Sequence, residues 1–222
     1  MAKRLFDVIN AVTALVLLTP VFVAAFVGIR LASPGPAIYS ARRTGRDGVI
    51  FVMYKFRTMH VGSAAAGAIT GTRDSRIFFF GRVLRSLKID ELPQLFNVLV
   101  GEMSIVGPRP EDPAIVETYY GATGRETLTV LPGLASPGSI FNYTHGHLFL
   151  DDASPEESYV ARLLPIKLAL EVVYVRHRSF ITDLKIIVRT IGTILFIAAG
   201  RKKFPDPPEM TEARAILADR SK

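Results

Sequence analysis

The sequence predicts an α+β fold that is mainly helical, with a re-entrant N-terminal membrane helix broken at Pro20, a small β-hairpin and amphipathic interfacial helices. Three patterns lead to this prediction. An uncharged apolar segment occupies residues 8–29. Two short runs of β-branched and aromatic residues surround an Asp-Gly pair, which is typical of a hairpin. Farther along the chain, apolar residues recur at helical spacing on one face.

The apolar segment 8–29 is long enough to cross a bilayer, because a helix of about 20 residues suffices. Cations lie on both sides of it, and positive charge marks the cytoplasmic side of a span. Pro20 in mid-segment removes a helical hydrogen bond and favours a bend. We therefore expect residues 1–32 to enter the membrane, turn at Pro20 and return to the same face. The flanking cations are Lys3, Arg4, Arg30, Arg42, Arg43 and Arg46.

A kinked single span and a cleaved signal peptide are the alternatives for this segment. The kinked span stays open, since length alone permits it. The signal peptide fits least well, because the apolar stretch is longer than a typical signal core. In addition, no clear small-x-small cleavage site precedes Arg30.

The middle of the chain is predicted to contain the hairpin and two helices. After a Pro/Gly turn, we expect strands at 37–40 and 49–54. Helical spacing of apolar residues then begins at Phe78. A second helix is expected to begin near Asp90 and to end at Gly101, because glycine readily adopts the backbone conformation that stops a helix.

The remaining segments are assigned from their composition. Residues 61–75 are small and polar without periodicity and are predicted to form a mobile loop. Residues 113–120 are predicted to be helical and 131–154 irregular, before a long helix that is interrupted at Pro165. The last apolar run, 186–199, is too short to span a membrane, so we expect a helix lying in the interface.

The expected organisation is one catalytic domain with interfacial helices at 33–200, preceded by the re-entrant helix and followed by a C-terminal tail at 201–222. The tail is basic, then Pro-rich, then compatible with a short helix, and we expect it to be solvated or to contact a partner. His145 and His147 form a pair that resembles metal ligands. A metal is not expected there, because such pairs in polar loops usually bind none.

Composition limits the classes of function. The net charge is +7, and residues 1–60 contain eight Lys and Arg against two acids. A chain this basic requires an anionic partner, and the candidates are nucleic acid, phospholipid or a phosphorylated substrate. The sequence contains no Cys, which excludes a disulfide framework and a thiolate site. It contains no Trp and no nucleic-acid-binding motif, so a nucleic-acid partner is not expected.

Adjacent carboxylates, Asp90 and Glu91, lie at the expected start of the second helix, close to Arg85 and Lys88. In one interpretation they only complement the helix dipole, as acids in a first helical turn commonly do. In the other, the cations offset the repulsion between the two acids and keep both ionised for chemistry.

That chemistry would be phosphoryl transfer. An ionised Asp can attack phosphorus and form an acyl-phosphate intermediate. Mg²⁺ binds one or two carboxylates together with phosphate oxygens, and arginine binds phosphate through two parallel hydrogen bonds. Arg57 and Arg109 are the candidate phosphate clamps, and prolines on both sides stiffen the backbone of Arg109.

A set of motifs then occurs in a fixed order along the chain. They are KRLFD (3–7), Thr19-Pro20, SPGP (33–36), YKFRTM (54–59), GRVLRSLKIDELPQLFNVLVGEMSIVGPRP (81–110), VVYV (172–175) and DLKII (183–187). In these motifs the chain resembles the bacterial sugar transferases, the monotopic phosphoglycosyl transferases of membrane glycoconjugate assembly. The resemblance covers roughly residues 3–200, and the 81–110 block is its specific part.

The resemblance implies transfer of a sugar-1-phosphate from a UDP-sugar to a polyprenyl phosphate, with undecaprenyl phosphate the expected acceptor, release of UMP and a requirement for Mg²⁺. It also implies a re-entrant N-terminal helix and a cytoplasmic active site at the bacterial inner membrane. By position, Asp90 matches the nucleophile that forms a covalent phosphosugar intermediate. Glu91 matches its metal-associated partner, so these two acids are the candidate metal ligands. The residues matching substrate- and phosphate-site positions are Lys55, Arg57, Arg85, Arg109 and Glu171.

Two departures from the family pattern limit this transfer of roles. Glu171 stands where the family commonly has Asp, and in the stretch 132–152 only Pro132 and Gly133 match cleanly. The identity of the sugar is therefore not carried over from relatives. A nonenzymatic basic membrane-surface scaffold is the alternative function, because it needs only the basic, apolar N-terminus. A dimer is compatible with the sequence, which leaves the oligomeric state open.

Overall fold

The N-terminal apolar segment forms two helices in the computed structural model of the chain, whose described residues are 2–63 and 74–219. Helix α1 spans Ala2–Leu17, α2 spans Thr19–Ala32, and their axes differ in direction by 61°. The predicted bend is confirmed, although it lies at Leu18 rather than at Pro20. Pro20 occupies the first turn of α2, where its missing N–H would have had no helical partner.

No single helix among the described residues has both the length and the apolarity of a membrane span, whereas α1 and α2 have both as a bent pair. The re-entrant membrane segment therefore stays a prediction.

The predicted hairpin is confirmed, and its strands are longer than expected. Strand β1 spans Ile38–Thr44 and pairs antiparallel with β2, Ile50–Phe56. The turn between them places Asp47 at φ 58° and Gly48 at φ 78°, a left-handed conformation that suits the Asp-Gly pair. In this register Tyr39 lies opposite Lys55.

The block that carries the adjacent acids begins with helix α3, Phe79–Ser86, and continues in helix α4, Gln94–Val100. The prediction that α4 begins near Asp90 is wrong. Residues Ile89–Glu91 form a separate 3₁₀ turn after Lys88, which adopts a left-handed conformation at φ 56°. Pro93 then follows, and it has no N–H to donate to the preceding turn. The predicted end of α4 at Gly101, at φ 90°, is confirmed.

Residues 131–154 are regular in large part, so the prediction of an irregular segment is wrong. Strand β3, Ser104–Val106, pairs in parallel with β4, Gly133–Ala135, and helix α7 spans Pro137–His145. The Ser136 side chain accepts a hydrogen bond of 3.0 Å from the Ser139 N–H and so caps α7.

Helix α1 is anchored on this pair of strands. The buried Asp7 carboxylate accepts hydrogen bonds of 2.8 Å from the Ser104 hydroxyl and 3.0 Å from the Ile105 N–H. Lys3 pairs with Asp183 and donates a 3.1 Å hydrogen bond to the Val106 carbonyl. The N-terminal segment is therefore fixed to the strand that leads into the loop of Arg109.

The C-terminal half is built from helices. These are α5 (Pro113–Tyr119), α6 (Ala122–Arg125), α8 (Pro155–Ser158), α9 (Leu164–Arg176), α10 (Phe180–Ala198) and α11 (Met210–Asp219). The interruption at Pro165 is confirmed, since a π-helical turn ends at Leu163 and Pro165 lies in the first turn of α9. Helix α10 begins at Phe180, before the predicted residue 186.

The predicted solvated tail is wrong for α11, which packs on α9 and buries Met210 and Ala213 in the largest apolar core. Helix α10 keeps an apolar face exposed, as expected of an interfacial helix. That face includes Ile181, Val188 and Leu195, at 65%, 69% and 63% exposure. The predicted mobile loop at 61–75 falls largely on residues 64–73, which lie outside the described residues.

Candidate active site

A cavity of about 710 Å³ opens between the hairpin, the 3₁₀ turn and helix α7. Six of the seven predicted site residues line this cavity together, and Glu171 does not. The six are Lys55, Arg57, Arg85, Asp90, Glu91 and Arg109. The cavity therefore brings the hairpin, the acidic pair and the Pro-rich loop into one site, although these segments are distant in sequence.

Glu91 is held by a cation and a phenol. Arg109 donates two hydrogen bonds, of 2.8 and 2.7 Å, to its two carboxylate oxygens, and the Tyr143 hydroxyl donates another of 3.2 Å. We call these three residues the Glu91 cluster. Burial alone would raise the pKa of Glu91, but Arg109 and the nearby lysines outweigh it and lower the pKa to about 2. Glu91 is therefore ionised at neutral pH.

Asp90 lies beside this cluster without a comparable partner. Its side chain makes no helix-capping hydrogen bond, and its buried Oδ1 has no hydrogen-bond partner among the described residues. Burial raises the pKa of Asp90, and the neighbouring Glu91 raises it further, while Lys55, Lys88 and Arg85 oppose this. The two adjacent acids therefore differ, with the pKa raised at Asp90 and lowered at Glu91. That the cations keep both acids ionised stays a prediction. Neither acid lies in the first turn of α4, so the interpretation in which they only complement the dipole of that helix is wrong.

Further cations surround the two acids. The Lys55 Nζ lies 4.0 Å from Glu91, and burial together with Arg109 lowers the pKa of Lys55 to about 8. Lys88 lies over the ring of Tyr143, 3.7 Å from its centroid, in a cation–π contact. Arg85 donates a 2.8 Å hydrogen bond to the Thr58 hydroxyl. Four cations thus face two carboxylates, which leaves an excess of positive charge for an anionic ligand.

The loop that carries Arg109 is tightly packed. A Cβ atom on Gly107 would lie 2.3 Å from the Leu131 carbonyl oxygen, so only glycine lets β3 and β4 approach this closely. Pro108 and Pro110 fix the backbone on either side of the arginine. The guanidinium is therefore held in place before any ligand arrives.

Glu171 supports this loop from behind. Its carboxylate accepts a 2.6 Å hydrogen bond from the Ser136 hydroxyl and a 3.3 Å hydrogen bond from the Arg109 N–H. Burial raises the pKa of Glu171 to about 7. The side chain is 3% exposed and does not line the cavity, so the structure does not place it as a phosphate or metal ligand. It fixes the position of Arg109 instead.

Arg57 lines the cavity, but its guanidinium is bound by backbone carbonyls and a serine hydroxyl. The group donates four hydrogen bonds, to the Pro36 carbonyl, to the hydroxyl and carbonyl of Ser33, and to the Met59 carbonyl. These contacts join the end of α2 to the end of the hairpin. The geometry therefore favours a structural role for Arg57, and a phosphate clamp at this position stays a prediction.

Sequence reasoning missed Tyr143 and a second buried group on the cavity wall. In this group, Glu111 is bound by Tyr159 and, at 2.7 Å, by Lys167; we call these three residues the Glu111 cluster. Tyr143 lies on α7, in the segment that was expected to be irregular. The Ser136-Pro137 pair was the available signal, because serine at the cap and proline at the first position mark a helix start.

Comparisons with known proteins identify the family. The family described as bacterial sugar transferase matches residues 1–197, which is most of the chain. The chain belongs to the bacterial sugar transferase family. The resemblance seen in the sequence motifs is therefore confirmed, and with it the prediction of a phosphoglycosyl transferase.

Several curated relatives share this family's sequence. A protein of Caulobacter vibrioides named UDP-glucose:undecaprenyl-phosphate glucose-1-phosphate transferase is 36% identical over 199 residues, covering 87% of this chain and 69% of its own. An Aeromonas hydrophila protein named as an N-acetylgalactosaminephosphotransferase is 36% identical, and only 43% of it is covered. The exopolysaccharide production protein ExoY of Rhizobium meliloti is 34% identical, with 85% covered. This bacterial sugar transferase thus spans widely different shares of its relatives.

Proposed function

We propose that this chain transfers a sugar-1-phosphate from a UDP-sugar to a polyprenyl phosphate, for which undecaprenyl phosphate is the expected compound, and so initiates polysaccharide or glycoconjugate assembly. One observation carries the proposal: Asp90, whose Oδ1 has no hydrogen-bond partner among the described residues, lines a cavity in which cations outnumber acids. The names of the relatives support the donor and acceptor classes.

The proposed reaction has two steps at one phosphorus atom. A carboxylate oxygen of Asp90 bonds to the sugar-bearing phosphorus of the donor, and the bond from that phosphorus to the bridging oxygen breaks. UMP leaves with the electron pair. An oxygen of the polyprenyl phosphate then attacks the same phosphorus and displaces Asp90, which regains its charge. The raised pKa of Asp90 suits the first step, because a more basic carboxylate is a stronger nucleophile once it is ionised.

The neighbouring residues have complementary tasks in this scheme. Arg109 is held in place by Glu91 and by the backbone contact to Glu171, so its charge needs little reorganisation when negative charge develops on the phosphoryl oxygens. Lys55, Lys88 and Arg85 add positive charge around the diphosphate. Glu91 keeps the Arg109 guanidinium oriented toward the cavity.

Mg²⁺ is proposed as the cofactor, and the residues present fit it in one specific way. No group of three or more His, Asp or Glu side chains among the described residues is arranged to hold a metal. Mg²⁺ commonly binds to one or two carboxylates together with substrate phosphates and water. Asp90, whose Oδ1 has no partner among the described residues, and the adjacent Glu91 would supply the carboxylates of that set. When bound, the ion would neutralise charge on the diphosphate.

We further propose that the protein acts on the cytoplasmic face of the bacterial inner membrane. The bent pair α1 and α2 has the length and composition of a broken or re-entrant membrane segment. The exposed apolar face of α10 and the cations on both flanks of the N-terminal segment agree with an interfacial position. In this arrangement residues 33–200 form the catalytic domain.

Replacement of Asp90 by Asn tests the proposal. The full chain in detergent or nanodiscs is incubated with a panel of UDP-sugars, undecaprenyl phosphate and Mg²⁺, and UMP release is measured. We expect the D90N variant to lose at least about 10³-fold in turnover, because the amide is not a nucleophile. Intact mass after incubation without acceptor should show a sugar-phosphate adduct on the wild type and none on the variant.

The matched control is Asp47→Asn, in the exposed hairpin turn, where the side chain is 70% exposed. This variant should keep wild-type turnover. A D90N variant with more than about a tenth of wild-type turnover would reject Asp90 as the nucleophile. A wild type that binds anionic vesicles but turns over none of the UDP-sugars would favour the scaffold alternative.

A further inference from the structure

We propose that the Glu111 cluster, together with Asn142 of helix α7, forms the subsite that holds the sugar of the donor and discriminates between sugars. This inference rests on the proposed function, because it assigns one part of the proposed substrate to one part of the cavity. All four side chains line the same cavity as Asp90.

The reaction order requires such a subsite. The phosphorus that Asp90 attacks carries the sugar, and the sugar stays attached to it through both steps. UMP leaves between the steps, and the acceptor enters in its place. A subsite that holds the sugar must therefore persist throughout, whereas contacts to the nucleotide are needed in the first step only. Rigid, buried groups meet this requirement, and the residues Lys167 and Tyr159 are each 5% exposed.

Charge distinguishes this part of the wall from the surroundings of Asp90. Glu111 is paired with Lys167 at 2.7 Å, and Asp112 is paired with Arg43 at 3.0 Å. These two acids and two cations balance, so this region has no excess charge for a phosphate. The carboxylate accepts hydrogen bonds, the ammonium donates them, and the phenol and the amide do both, which together suits the hydroxyl groups of a neutral sugar.

The position of Glu111 agrees with this assignment. It follows Arg109 by two residues, with Pro110 between them. A residue that precedes a proline favours an extended backbone, and here that residue is Arg109. The Cα atoms of Arg109 and Glu111 are then at most about 7 Å apart. That separation suits a phosphoryl group on Arg109 with its attached sugar ring beside Glu111.

Asn142 is the group in this subsite with unused hydrogen-bonding capacity. It is half-buried on α7, one residue before Tyr143, and its side-chain amide has no hydrogen bond to another described residue. It also lies in the stretch 132–152, where the sequence departs from the family pattern. An amide that both donates and accepts can distinguish the orientation of a sugar hydroxyl.

The pyrimidine ring of the nucleotide is the competing occupant. A nucleobase usually stacks on an aromatic face. Here Lys167 lies over the ring of Tyr159, 4.7 Å from its centroid, and Lys88 lies over the ring of Tyr143. One face of each ring is thus already covered by an ammonium group, and the polar rim that remains favours the sugar.

The test compares Asn142→Ala with the wild type on two pairs of donors that differ only at the C4 hydroxyl: UDP-glucose with UDP-galactose, and UDP-N-acetylglucosamine with UDP-N-acetylgalactosamine. We expect kcat/KM for the preferred donor to fall about tenfold, because one hydrogen bond to the sugar is lost. The ratio of kcat/KM within the preferred pair should change at least about fivefold. Inhibition by UMP, which has no sugar beyond its ribose, should stay within about twofold of the wild type.

A second variant tests the buried pair without leaving a lone charge. Glu111→Gln combined with Lys167→Met removes both charges together, which avoids the large cost of one unpaired buried ion. It should also change the donor ratio while UMP inhibition is kept, and circular dichroism checks its fold. His147→Ala, at an exposed position close to Asn142 in sequence, is the control and should change neither quantity.

Two outcomes would overturn the inference. Weakened UMP inhibition in N142A with an unchanged donor ratio would assign this region to the nucleotide. Unchanged donor ratios in both variants would show that the region does not contact the sugar. Both outcomes leave UMP release by the wild type intact, so they are distinct from failure of the proposed function.

Discussion

The Glu91 cluster and the Glu111 cluster have the same composition and different surroundings. In each, a carboxylate on the cavity wall is bound by one cation and one tyrosine. Beside the Glu91 cluster lie further cations and the unpartnered carboxylate of Asp90. Beside the Glu111 cluster lies an ion pair, between Arg43 and Asp112, in which both charges are matched.

Under the proposed function, a buried carboxylate, cation and tyrosine are not by themselves enough to make a reactive site. Breaking either ion pair by removing one partner is expected to cost about 3–5 kcal/mol of stability, because a lone charge would stay buried. We therefore expect a similar loss in the free energy of unfolding when either cluster is broken. We expect turnover to separate them, because the Glu91 cluster adjoins an excess of positive charge and Asp90, whose Oδ1 has no partner among the described residues.

The largest effect after loss of Asp90 is expected from Arg109→Lys in the Glu91 cluster. Lysine keeps the charge but loses the two parallel hydrogen bonds to Glu91 and the planar fork that fits a phosphoryl group. We expect turnover at saturating donor to fall about 10²- to 10³-fold, the usual cost of one preorganised donor to a developing negative charge. The measurement is UMP release under the conditions used for D90N.

The double variant of the Glu111 cluster is the counterpart of this change. Its effect on kcat/KM should stay near about tenfold, since it removes contacts to a neutral part of the donor. Equal losses in R109K and in the double variant would contradict the distinction between the two clusters.

A smaller effect is expected from pH, through Lys55 beside the Glu91 cluster. Burial and Arg109 lower the pKa of Lys55 to about 8, so the ammonium loses its proton as pH rises through this value. Turnover should then fall by up to about tenfold per pH unit above pH 8. Lys55→Arg keeps its charge and should move this decline to higher pH. A pH–rate profile that is unchanged in K55R would contradict the prediction that deprotonation of Lys55 lowers turnover.

The smallest effect on turnover is expected from Glu171→Gln, which keeps the shape of the side chain behind Arg109. The pKa of Glu171 rises from 4.5 to about 7 on folding, so the folded state binds more protons between these pH values. The free energy of unfolding of the wild type therefore falls as pH rises through this window. The variant has no such loss and should be more stable above pH 7, by up to about 3 kcal/mol.

Thermal unfolding in detergent from pH 5 to pH 8 measures this difference. The stability gap between E171Q and the wild type should widen with pH, while turnover changes less than about threefold. Glu156→Gln, at an exposed position on α8, is the matched control and should show no pH-dependent gap. A constant gap across this range would contradict the raised pKa of Glu171.

The local elements were predictable where their signals are local. The hairpin follows from the Asp-Gly pair, the end of α4 from Gly101, and the bend in the N-terminal segment from Pro20. The start of α4 was misplaced, because the left-handed conformation of Lys88 has no signature in its residue type. Helix α7 was missed because most of its residues are buried and give no amphipathic period.

The sequence by itself determined most of the candidates for the proposed chemistry, because adjacent acids, cations and an arginine between two prolines lie within residues 85–110. Only the tertiary structure decided which partner each of these residues contacts. It paired Glu91 with Arg109, left Asp90 without a partner, turned Arg57 toward backbone carbonyls and set Glu171 behind the site. The physical reason is that pairing, burial and pKa depend on distances between segments far apart in the chain, and residue order does not encode those distances directly.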